Sequence, residues 1–495
     1  LINDCAVREN KIYFSQQFSY SEYQLKSVLS KSSVNKAKSL EFIEVPFIPY
    51  KNGTADFEKL SELTSAVYKK KNEIADKLKA EYDGDSFVIV DYENNSDSIL
   101  SAKNDLNADA ISDDIKITDE PALIERPPID YSQKTCRNLP DILKQASLTD
   151  QKIVYISKLG QREQTYKELY HESLCMAEKL RSFGVKKGEC VVFQIPENRD
   201  FIVAFWACVM IGAIVAPLGV LDDYGGNNLN TEKLYNIFNL VENSYVLADD
   251  KISAQIATLL KTDRVISYGD AAGDSKETED IYEWTDDQII LMLFTSGSTG
   301  LPKGVGLSQK NVFARTLAEI EMYGFDSSLS DFNWMTLTHA AGIIWSHIRD
   351  TYLTAFQIQA DTNTILKNPL SVLDYMSQYK STTMWAPNFA YALIADNIDE
   401  NHDYGWDLRN ARYLFTGGET NVSKNLRDFL KKLAKYGLPE NAVIPSFGMT
   451  ETSSCMTYYN DFSLENSSDS DRFIPIGIPS NGHSVRITDD NGNIC

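Results

Sequence analysis

The chain has 495 residues, of which 43% are hydrophobic, and its formal net charge is −22. This length predicts two to four structural units, and the hydrophobic content is sufficient for large buried cores. The strongly negative charge argues against nucleic acid or an anionic membrane surface as the main partner and fits a cytoplasmic protein. The seven cysteines are scattered without a C-x-x-C pair, which favours reduced thiols and predicts no zinc site.

The first part of the chain predicts a small unit followed by a linker. Residues 1–65 are expected to form a compact α+β piece with a turn at Asn52 and Gly53. Residues 61–82 are rich in Lys, Glu and Ala and predict a charged helix. From residue 83 to residue 125 the chain is acidic with short apolar runs, which predicts a linker containing one hairpin at most. The helix and linker together account for residues 66–135.

A larger α/β domain is predicted from Cys136 to Cys495. Thr165 and Glu168 form a capping box before a helical pattern that ends by Gly184. Strand and helix signals then alternate, which predicts parallel sheets joined by crossover helices. The predicted strands include 152–156, 161–165, 190–195, 213–217, 289–294, 382–385, 413–416 and 442–445, and the later helices include 200–211 and 308–323.

The most apolar run, residues 201–220, is long enough to suggest a membrane span. Gly212 and Pro217 interrupt it, and Glu197, Arg199 and Asp200 precede it. A buried helix followed by a buried strand explains this pattern better, and we predict no transmembrane segment.

A segment rich in glycine and hydroxyl groups follows the predicted strand 289–294. Its members are Thr295, Ser296, Gly297, Ser298, Thr299, Gly300, Lys303 and Gly304. Glycines let amide N–H groups approach an anion, hydroxyls add donors and Lys303 adds a mobile charge, so phosphate is the expected ligand. A Walker loop is disfavoured because Gly304, rather than Ser or Thr, follows Lys303. A plain surface turn is the alternative.

Four later segments add candidate residues. Residues 332–342 contain His339, although a lone histidine is more often a core residue. Residues 385–393 contain Trp385, Asn388 and Phe389, and Pro387 also fits the first turn of a helix whose aromatic residues are buried. Residues 415–420 contain Gly417, Gly418 and Glu419, and residues 445–452 contain Phe447, Gly448, Thr450 and Glu451.

These five segments, in this order, resemble the adenylate-forming (AMP-binding) superfamily. Its members include acyl-CoA synthetases, fatty acyl-AMP ligases and adenylation domains of nonribosomal peptide synthetases. The amino-acid sequences of the segments are similar to those of acyl-AMP/acyl-carrier-protein ligase domains of polyketide and peptide assembly lines. The resemblance implies the large N-terminal domain of that fold, with layered sheets flanked by helices.

The resemblance also implies residue roles. Lys303 and the glycine-rich segment would hold the phosphates of ATP, Gly417, Gly418 and Glu419 would border adenine, and Phe447 and Gly448 would lie beside the base. Thr450 would contact phosphate and Glu451 would hold Mg²⁺. His339, Trp385, Asn388 and Phe389 would line the acid pocket. The phenylalanine at 447 replaces the family's usual tyrosine, which keeps a stacking face and loses a hydroxyl.

The implied reaction is attack of a carboxylate on the α-phosphate of ATP, giving acyl-AMP and pyrophosphate. A phosphopantetheine thiol, on a carrier protein or alternatively on CoA, would then take the acyl group. Amino-acid-activating members typically place an aspartate after the phenylalanine at 332, whereas this chain has Asn333. Because a buried ammonium without an anion is costly, we expect an acid without an α-amino group. A degenerate, non-catalytic scaffold is the alternative from another class.

The two ends of the sequence prompt two further expectations. Residues 44–60 resemble the end of an adenylate-forming C-terminal subdomain, with Thr54 where the catalytic lysine usually stands, so residues 1–65 could be the tail of an upstream unit. The sequence stops at Cys495, before the family's ribose-binding aspartate and mobile subdomain. We therefore expect a fragment with weak activity of its own.

Overall fold

The computed structural model describes residues 122–494, except 222–223, 225–228, 242–243, 274, 297–301, 472 and 490–491, together with the backbone of five short strands among residues 2–55. The chain divides into two units, Leu1–Glu120 and Pro121–Cys495. In the first unit, strands Ile2–Arg8 and Lys11–Gln16 pair antiparallel and Glu41–Phe42 joins them. Tyr50–Lys51 pairs with Thr54–Ala55, which contains Thr54.

The predicted helix at 61–82 and most of the predicted linker lie outside the described residues. Leu123–Glu125, within the expected linker, pairs antiparallel with Ser484–Arg486. The second unit therefore begins before Cys136, the residue where the sequence placed its start. The earlier start depends on a pairing with a strand near the other end of the chain, which local sequence does not reveal.

The second unit contains a six-stranded sheet. Five of its strands are parallel, and an antiparallel strand closes one edge. In spatial order they are Val265–Ser267, Tyr245–Ala248, Cys190–Gln194, Ile214–Pro217, Ile289–Ser296 and Pro302–Ser308.

A nine-stranded sheet forms the other layer. Its six central strands are parallel and its edges are antiparallel. In spatial order the strands are Ile478–Pro479, Ser454–Tyr458, Val443–Met449, Tyr413–Thr416, Thr383–Ala386, Ser330–Asn333, Phe356–Ala360, Lys152–Ser157 and Gly160–Thr165. The expectation of parallel sheets with crossover helices is confirmed.

Helices connect and cover the sheets. The α-helices are Leu139–Ala146, Tyr166–Ser182, Asn198–Ile211, Leu229–Leu240, Ser253–Leu260, Tyr268–Ala271, Gln309–Tyr323, Arg349–Tyr352, Thr362–Lys367, Ser371–Tyr379, Asn388–Asn397 and Ser423–Leu433. Ala341–Ile348 is a π-helix, and Tyr131–Gln133, Ala434–Tyr436 and Thr450–Thr452 are short 3₁₀ turns. The capping box at Thr165 and the cap at Ser308 are present as predicted.

Helix Asn198–Ile211 shows why the apolar run 201–220 is so hydrophobic. Every residue from Phe201 to Ile211 is buried, because the helix packs against neighbouring helices as well as the six-stranded sheet. Gly212 then ends the helix in the left-handed region, at a φ of 78°, and the chain enters strand Ile214–Pro217. Within the described residues, no helix combines the length and apolar composition needed to cross a membrane.

Strand Pro302–Ser308 corrects one expectation. The sequence placed Lys303 in a loop leading to the helix capped by Ser308, whereas Lys303 lies on a strand antiparallel to Ile289–Ser296. Gly304 and Gly306 hide the strand pattern because they contribute no side chain to the alternation. They also leave room for the facing strand, since a Cβ at Gly304 would lie 3.1 Å from the Phe294 ring and one at Gly306 would lie 2.8 Å from the end of the Ile289 side chain.

Candidate functional site

A hairpin carries the first group of predicted residues. Ser296 pairs with Pro302 and Thr295 with Lys303, and residues 297–301 connect the two strands. The predicted positions Gly297, Ser298, Thr299 and Gly300 lie outside the described residues, and Ser296 is described for its backbone alone. Lys303 is exposed and makes no hydrogen bond or ion pair with any residue that the structure describes. Its ammonium group is therefore available to an anionic ligand.

The second group follows the carboxyl ends of three parallel strands. Ala386, Thr416 and Pro445 are in register across the nine-stranded sheet. The segments containing Asn388 and Gly417 therefore leave the sheet at the same end of these strands, and strand Val443–Met449 continues there through Phe447. Carboxyl ends of parallel strands are the usual location of ligand crevices in α/β proteins.

Gly417 and Gly418 permit close approach between these segments. A Cβ at Gly417 would lie 2.6 Å from the carbonyl oxygen of Ser446, and Gly418, at a φ of 79°, lies against the Trp385 ring. Glu419 Oε1 accepts a hydrogen bond of 2.7 Å from the backbone N–H of Phe389. This bond holds the 417–419 segment against the start of helix Asn388–Asn397.

Phe447 and Met449 project from the end of strand Val443–Met449. Their side chains are 42% and 47% exposed, although the first half of the same strand is buried. Gly448 lies between them, where a Cβ would be 2.0 Å from the carbonyl oxygen of Ser454. The sequence did not indicate Met449. Its position two residues after Phe447 would have identified it had the predicted strand not ended at Pro445.

Thr450 and Glu451 lie in the 3₁₀ turn Thr450–Thr452, which is adjacent to strand Pro302–Ser308. The strand of Lys303 and the turn of Glu451 are thus neighbours, although the two residues are far apart in sequence. Glu451 is exposed and has no hydrogen-bond or ion-pair partner among the described residues. The arrangement offers a cation and a carboxylate to which no described residue is bonded.

His339 lies just before the π-helix Ala341–Ile348. Its Nδ1 accepts a 3.2 Å hydrogen bond from the backbone N–H of Ala341, which leaves the proton of the neutral ring on Nε2. The ring reaches solvent, yet the surrounding protein limits hydration of the charged form and lowers the pKa of His339. The π-helix packs against strand Ser454–Tyr458, which follows the turn of Glu451. π-Helical segments frequently occur at functional sites.

Two asparagines near the site are committed to protein partners. Asn333 is buried, donates to Gln359 Oε1 over 2.8 Å and accepts from the backbone N–H of Met335 over 3.0 Å. Asn388 Oδ1 accepts from Asn425 over 2.9 Å. The side chain of Asn388 therefore supports the first turn of helix Ser423–Leu433, whereas its neighbour Phe389 is about half exposed.

The donor set limits which metal this region could hold. Among the residues that the structure describes, no group of three or more His, Cys, Asp and Glu side chains comes close enough to bind an ion. One carboxylate, Glu451, is available beside the hairpin. This set does not suit zinc, but it fits Mg²⁺, which takes most of its ligands from phosphate and water.

A separate cavity of about 330 Å³ lies at the carboxyl ends of strands Cys190–Gln194 and Tyr245–Ala248. Cations such as Lys158 and Lys251 line it together with the anions Glu197 and Asp249. It contains none of the predicted site residues, and its mixed charge favours no single class of ligand.

Comparisons with known proteins show which family the chain belongs to. Residues 142–495 match the family model described as AMP-binding enzyme. The nonribosomal peptide synthetase apvA of Aspergillus terreus is 27% identical over 375 residues, which cover 72% of this chain and 40% of the relative. The chain thus spans about 40% of the length of the curated relatives it matches first.

Two solved structures share the fold closely. One is the adenylation domain of a keto acid-selecting nonribosomal peptide synthetase module bound to keto acyl adenylate, with a TM-score of 0.71 at 28% identity over 76% of this chain and 73% of that one. The other is McyG A-PCP complexed with phenylalanyl-adenylate, with a TM-score of 0.71 at 30% identity, covering 76% and 59% of the two chains. The family match covers well over half of the sequence, and the chain belongs to the AMP-binding enzyme family.

Proposed function

We propose that this chain activates a carboxylic acid without an α-amino group as its acyl-AMP, using ATP, and passes the acyl group to the phosphopantetheine thiol of a carrier protein. The observation that carries the proposal is that the strand of Lys303 and the turn of Glu451 are neighbours, and that both side chains are exposed and have no partner among the described residues. A cation and a carboxylate on adjacent elements suit a magnesium-bound phosphate chain.

Asn333 supports the absence of an amino group in the substrate. Its amide is fully buried and bonded to Gln359 and the Met335 backbone, so it supplies neither a negative charge nor a free acceptor for an ammonium. The solved neighbour that binds a keto acyl adenylate supports the same choice. The neighbour that binds phenylalanyl-adenylate keeps an amino acid as the rival substrate.

In the first step, a carboxylate oxygen of the acid attacks the α-phosphorus of ATP, and the bond to the bridging oxygen breaks to release pyrophosphate. Lys303 stabilises the charge that develops on the leaving group. His339 borders the acid, and Phe447 offers its exposed face to the adenine. Glu451 would hold Mg²⁺, which would supply further neutralisation of phosphate charge, and Thr450 would contact phosphate. In the second step, the thiol attacks the acyl carbon, AMP leaves and the thiol proton passes to solvent.

ATP–pyrophosphate exchange on the intact protein tests the proposal. The panel contains sets of three compounds that share one side chain. Each set has the 2-keto acid, the acid without a substituent at carbon 2 and the α-amino acid. We expect exchange with an acid that lacks the amino group and at least 100-fold less with its amino partner. A preference for the amino acid contradicts the substrate assignment, and silence with every acid favours a scaffold.

Acyl loading separates the two acceptors. The activated acid is offered to free CoA and to a purified phosphopantetheinylated carrier protein at equal thiol concentration. Faster loading of the carrier is the expected result. Equal or faster formation of acyl-CoA identifies the chain as an acyl-CoA synthetase instead.

A further inference from the structure

A buried carboxylate, Glu319, connects elements that adjoin the proposed site residues. It belongs to helix Gln309–Tyr323, which directly follows the hairpin strand of Lys303, and its side chain is fully buried. Trp345 Nε1 donates to Glu319 Oε1 over 2.8 Å. Trp345 lies in the π-helix behind His339, so this bond joins the phosphate side of the site to the acid side.

The same carboxylate reaches the element that follows Glu451. Arg315 Nη2 donates to Glu319 Oε1 over 3.2 Å and to the hydroxyl of Tyr458 over 2.5 Å. The Tyr458 hydroxyl also donates to Glu319 Oε1 over 3.4 Å. Tyr458 ends strand Ser454–Tyr458, whose beginning follows the turn Thr450–Thr452. The Glu319 side chain therefore joins three elements: the helix after the phosphate hairpin, the π-helix after His339 and the strand after the turn of Glu451.

A second carboxylate extends the network. Arg349 Nη1 donates to Glu319 Oε2 over 3.2 Å, and Arg349 Nη2 lies 3.2 Å from Asp331 Oδ1. Asp331 accepts from the hydroxyls of Ser346 and Thr383. These contacts fix strand Ser330–Asn333 against the π-helix and strand Thr383–Ala386. Removing one member leaves uncompensated charge in a dry interior, so the network has one favoured arrangement.

We propose that Glu319 is a positioning residue for adenylation: it locks the helix behind the phosphate hairpin to the π-helix behind His339, so that MgATP binding orders the acid side of the site. This inference rests on the proposed function. Glu319 touches no substrate, because it is enclosed by Trp345, Arg315, Arg349 and Tyr458. It acts through the relative placement of the elements that those residues belong to.

Hydrogen–deuterium exchange tests the coupling without requiring turnover. In the wild type, saturating MgATP should slow amide exchange at least fivefold both in 302–308 and in 341–348. Glu319→Gln should keep the protection of 302–308 and lose that of 341–348. Glu172→Gln is the matched control, since Glu172 accepts two 2.7 Å bonds from Arg199 on other helices, and it should behave as the wild type. Equal protection of 341–348 in Glu319→Gln, or none in the wild type, overturns the inference.

Kinetics give the second readout. The rates of ATP–pyrophosphate exchange are divided by the number of active sites, which is measured as the amount of adenylate formed per chain. We expect Glu319→Gln to lower kcat at least tenfold while the KM for MgATP stays within threefold, whereas a merely structural role lowers the number of active sites and leaves kcat per site unchanged. If the wild type shows no ATP–pyrophosphate exchange with any acid, the proposed function fails. The hydrogen–deuterium exchange result still decides the role of Glu319.

Trp345→Phe covers the case in which Glu319→Gln does not fold. It removes the indole donor to Glu319 and retains an aromatic ring. The protection of 341–348 by MgATP should fall at least twofold in this variant. Unchanged protection contradicts the coupling.

Discussion

Charged residues occupy two regions of the second unit in opposite ways. On the exposed rim, Lys303 and Glu451 have no partner among the described residues. In the interior, Glu319, Asp331 and Arg349 are almost fully buried and each has several partners. An exposed charge without a partner costs the fold little and can bind a ligand. A buried charge that is paired stabilises the fold and cannot bind a ligand.

Arg349 shows how tightly the buried charges are paired with one another. Burial alone would lower the pKa of this guanidinium, but Asp350, Asp331 and Glu319 together raise it above its usual value. Its planar group also lies 4.1 Å from the centroid of the Trp345 ring. These contacts on several sides define its place.

The largest expected effect is therefore on stability. Arg349→Met leaves Asp350 and Asp331 buried without their counter-charge, whereas Glu319 keeps Arg315, and should lower the free energy of unfolding by about 3–5 kcal/mol. Urea denaturation followed by tryptophan fluorescence measures it. Arg409→Met is the control, because Arg409 pairs with Asp407 on the exposed surface, and its stability should stay close to that of the wild type. A loss below 1 kcal/mol in Arg349→Met would remove the distinction between the two regions.

Lys303→Met should give the converse result. With a charge-stabilising group lost from the transition state, pyrophosphate exchange should fall roughly 100-fold in kcat/KM, which corresponds to about 2.7 kcal/mol. The free energy of unfolding should change by less than about 0.5 kcal/mol, since Lys303 is exposed and has no partner in the described part of the chain. Lys310→Met, an exposed lysine on the following helix, is the matched control and should keep wild-type exchange. A loss of stability in Lys303→Met that equals its loss of activity would contradict the assignment.

Local sequence signals predict much of the fold but only part of the site. The capping residues Thr165 and Ser308, the helix around Trp206 and five strands of the nine-stranded sheet follow from local patterns and are present, whereas the strands at 330–333, 356–360, 454–458 and 478–479 were not predicted. The site assignments came from the resemblance to a family, because the order of motifs does not state which way a side chain points. Asn388 illustrates this, since its amide turns to Asn425 rather than standing free.

The buried network was invisible to the sequence for a physical reason. Arg315 and Glu319 have the i,i+4 spacing typical of an exposed helical ion pair, and nothing local shows that this face is buried. Tyr458, which bonds to the same pair, lies 139 residues from Glu319. Strand Pro302–Ser308 was missed for another reason, since Gly304 and Gly306 make room for the side chains of the facing strand.

A buried histidine extends the comparison to pH. His347 Nε2 accepts from Trp206 Nε1 over 2.8 Å, and its Nδ1 lies 2.9 Å from Gln357 Oε1, so the ring is neutral with the proton on Nδ1. Burial lowers the pKa of His347 to about 4. Between pH 6.5 and about 4 the unfolded chain binds a proton that the folded chain does not. Stability should therefore fall as pH decreases through this window.

Because of His347, the free energy of unfolding should decrease by about 1.4 kcal/mol for each pH unit by which the pH falls in that window. The measurement is urea unfolding of wild type and His347→Gln from pH 7.5 to 4.5, in which the difference between the two slopes isolates this histidine from other titrating groups. A variant slope equal to that of the wild type would show that His347 does not titrate in this way.

The smallest effect is expected on the rim, at Phe447. Its ring is 42% exposed, so Phe447→Tyr, which restores the family's usual residue, should change the free energy of unfolding by less than about 0.5 kcal/mol. The KM for ATP should stay within about threefold, because the stacking face is kept. Phe447→Ala removes that face and should raise the KM roughly tenfold, an effect of about 1.4 kcal/mol. If both substitutions left the KM unchanged, the aromatic rim would not contact the nucleotide, and only the charged pair would remain as the binding region.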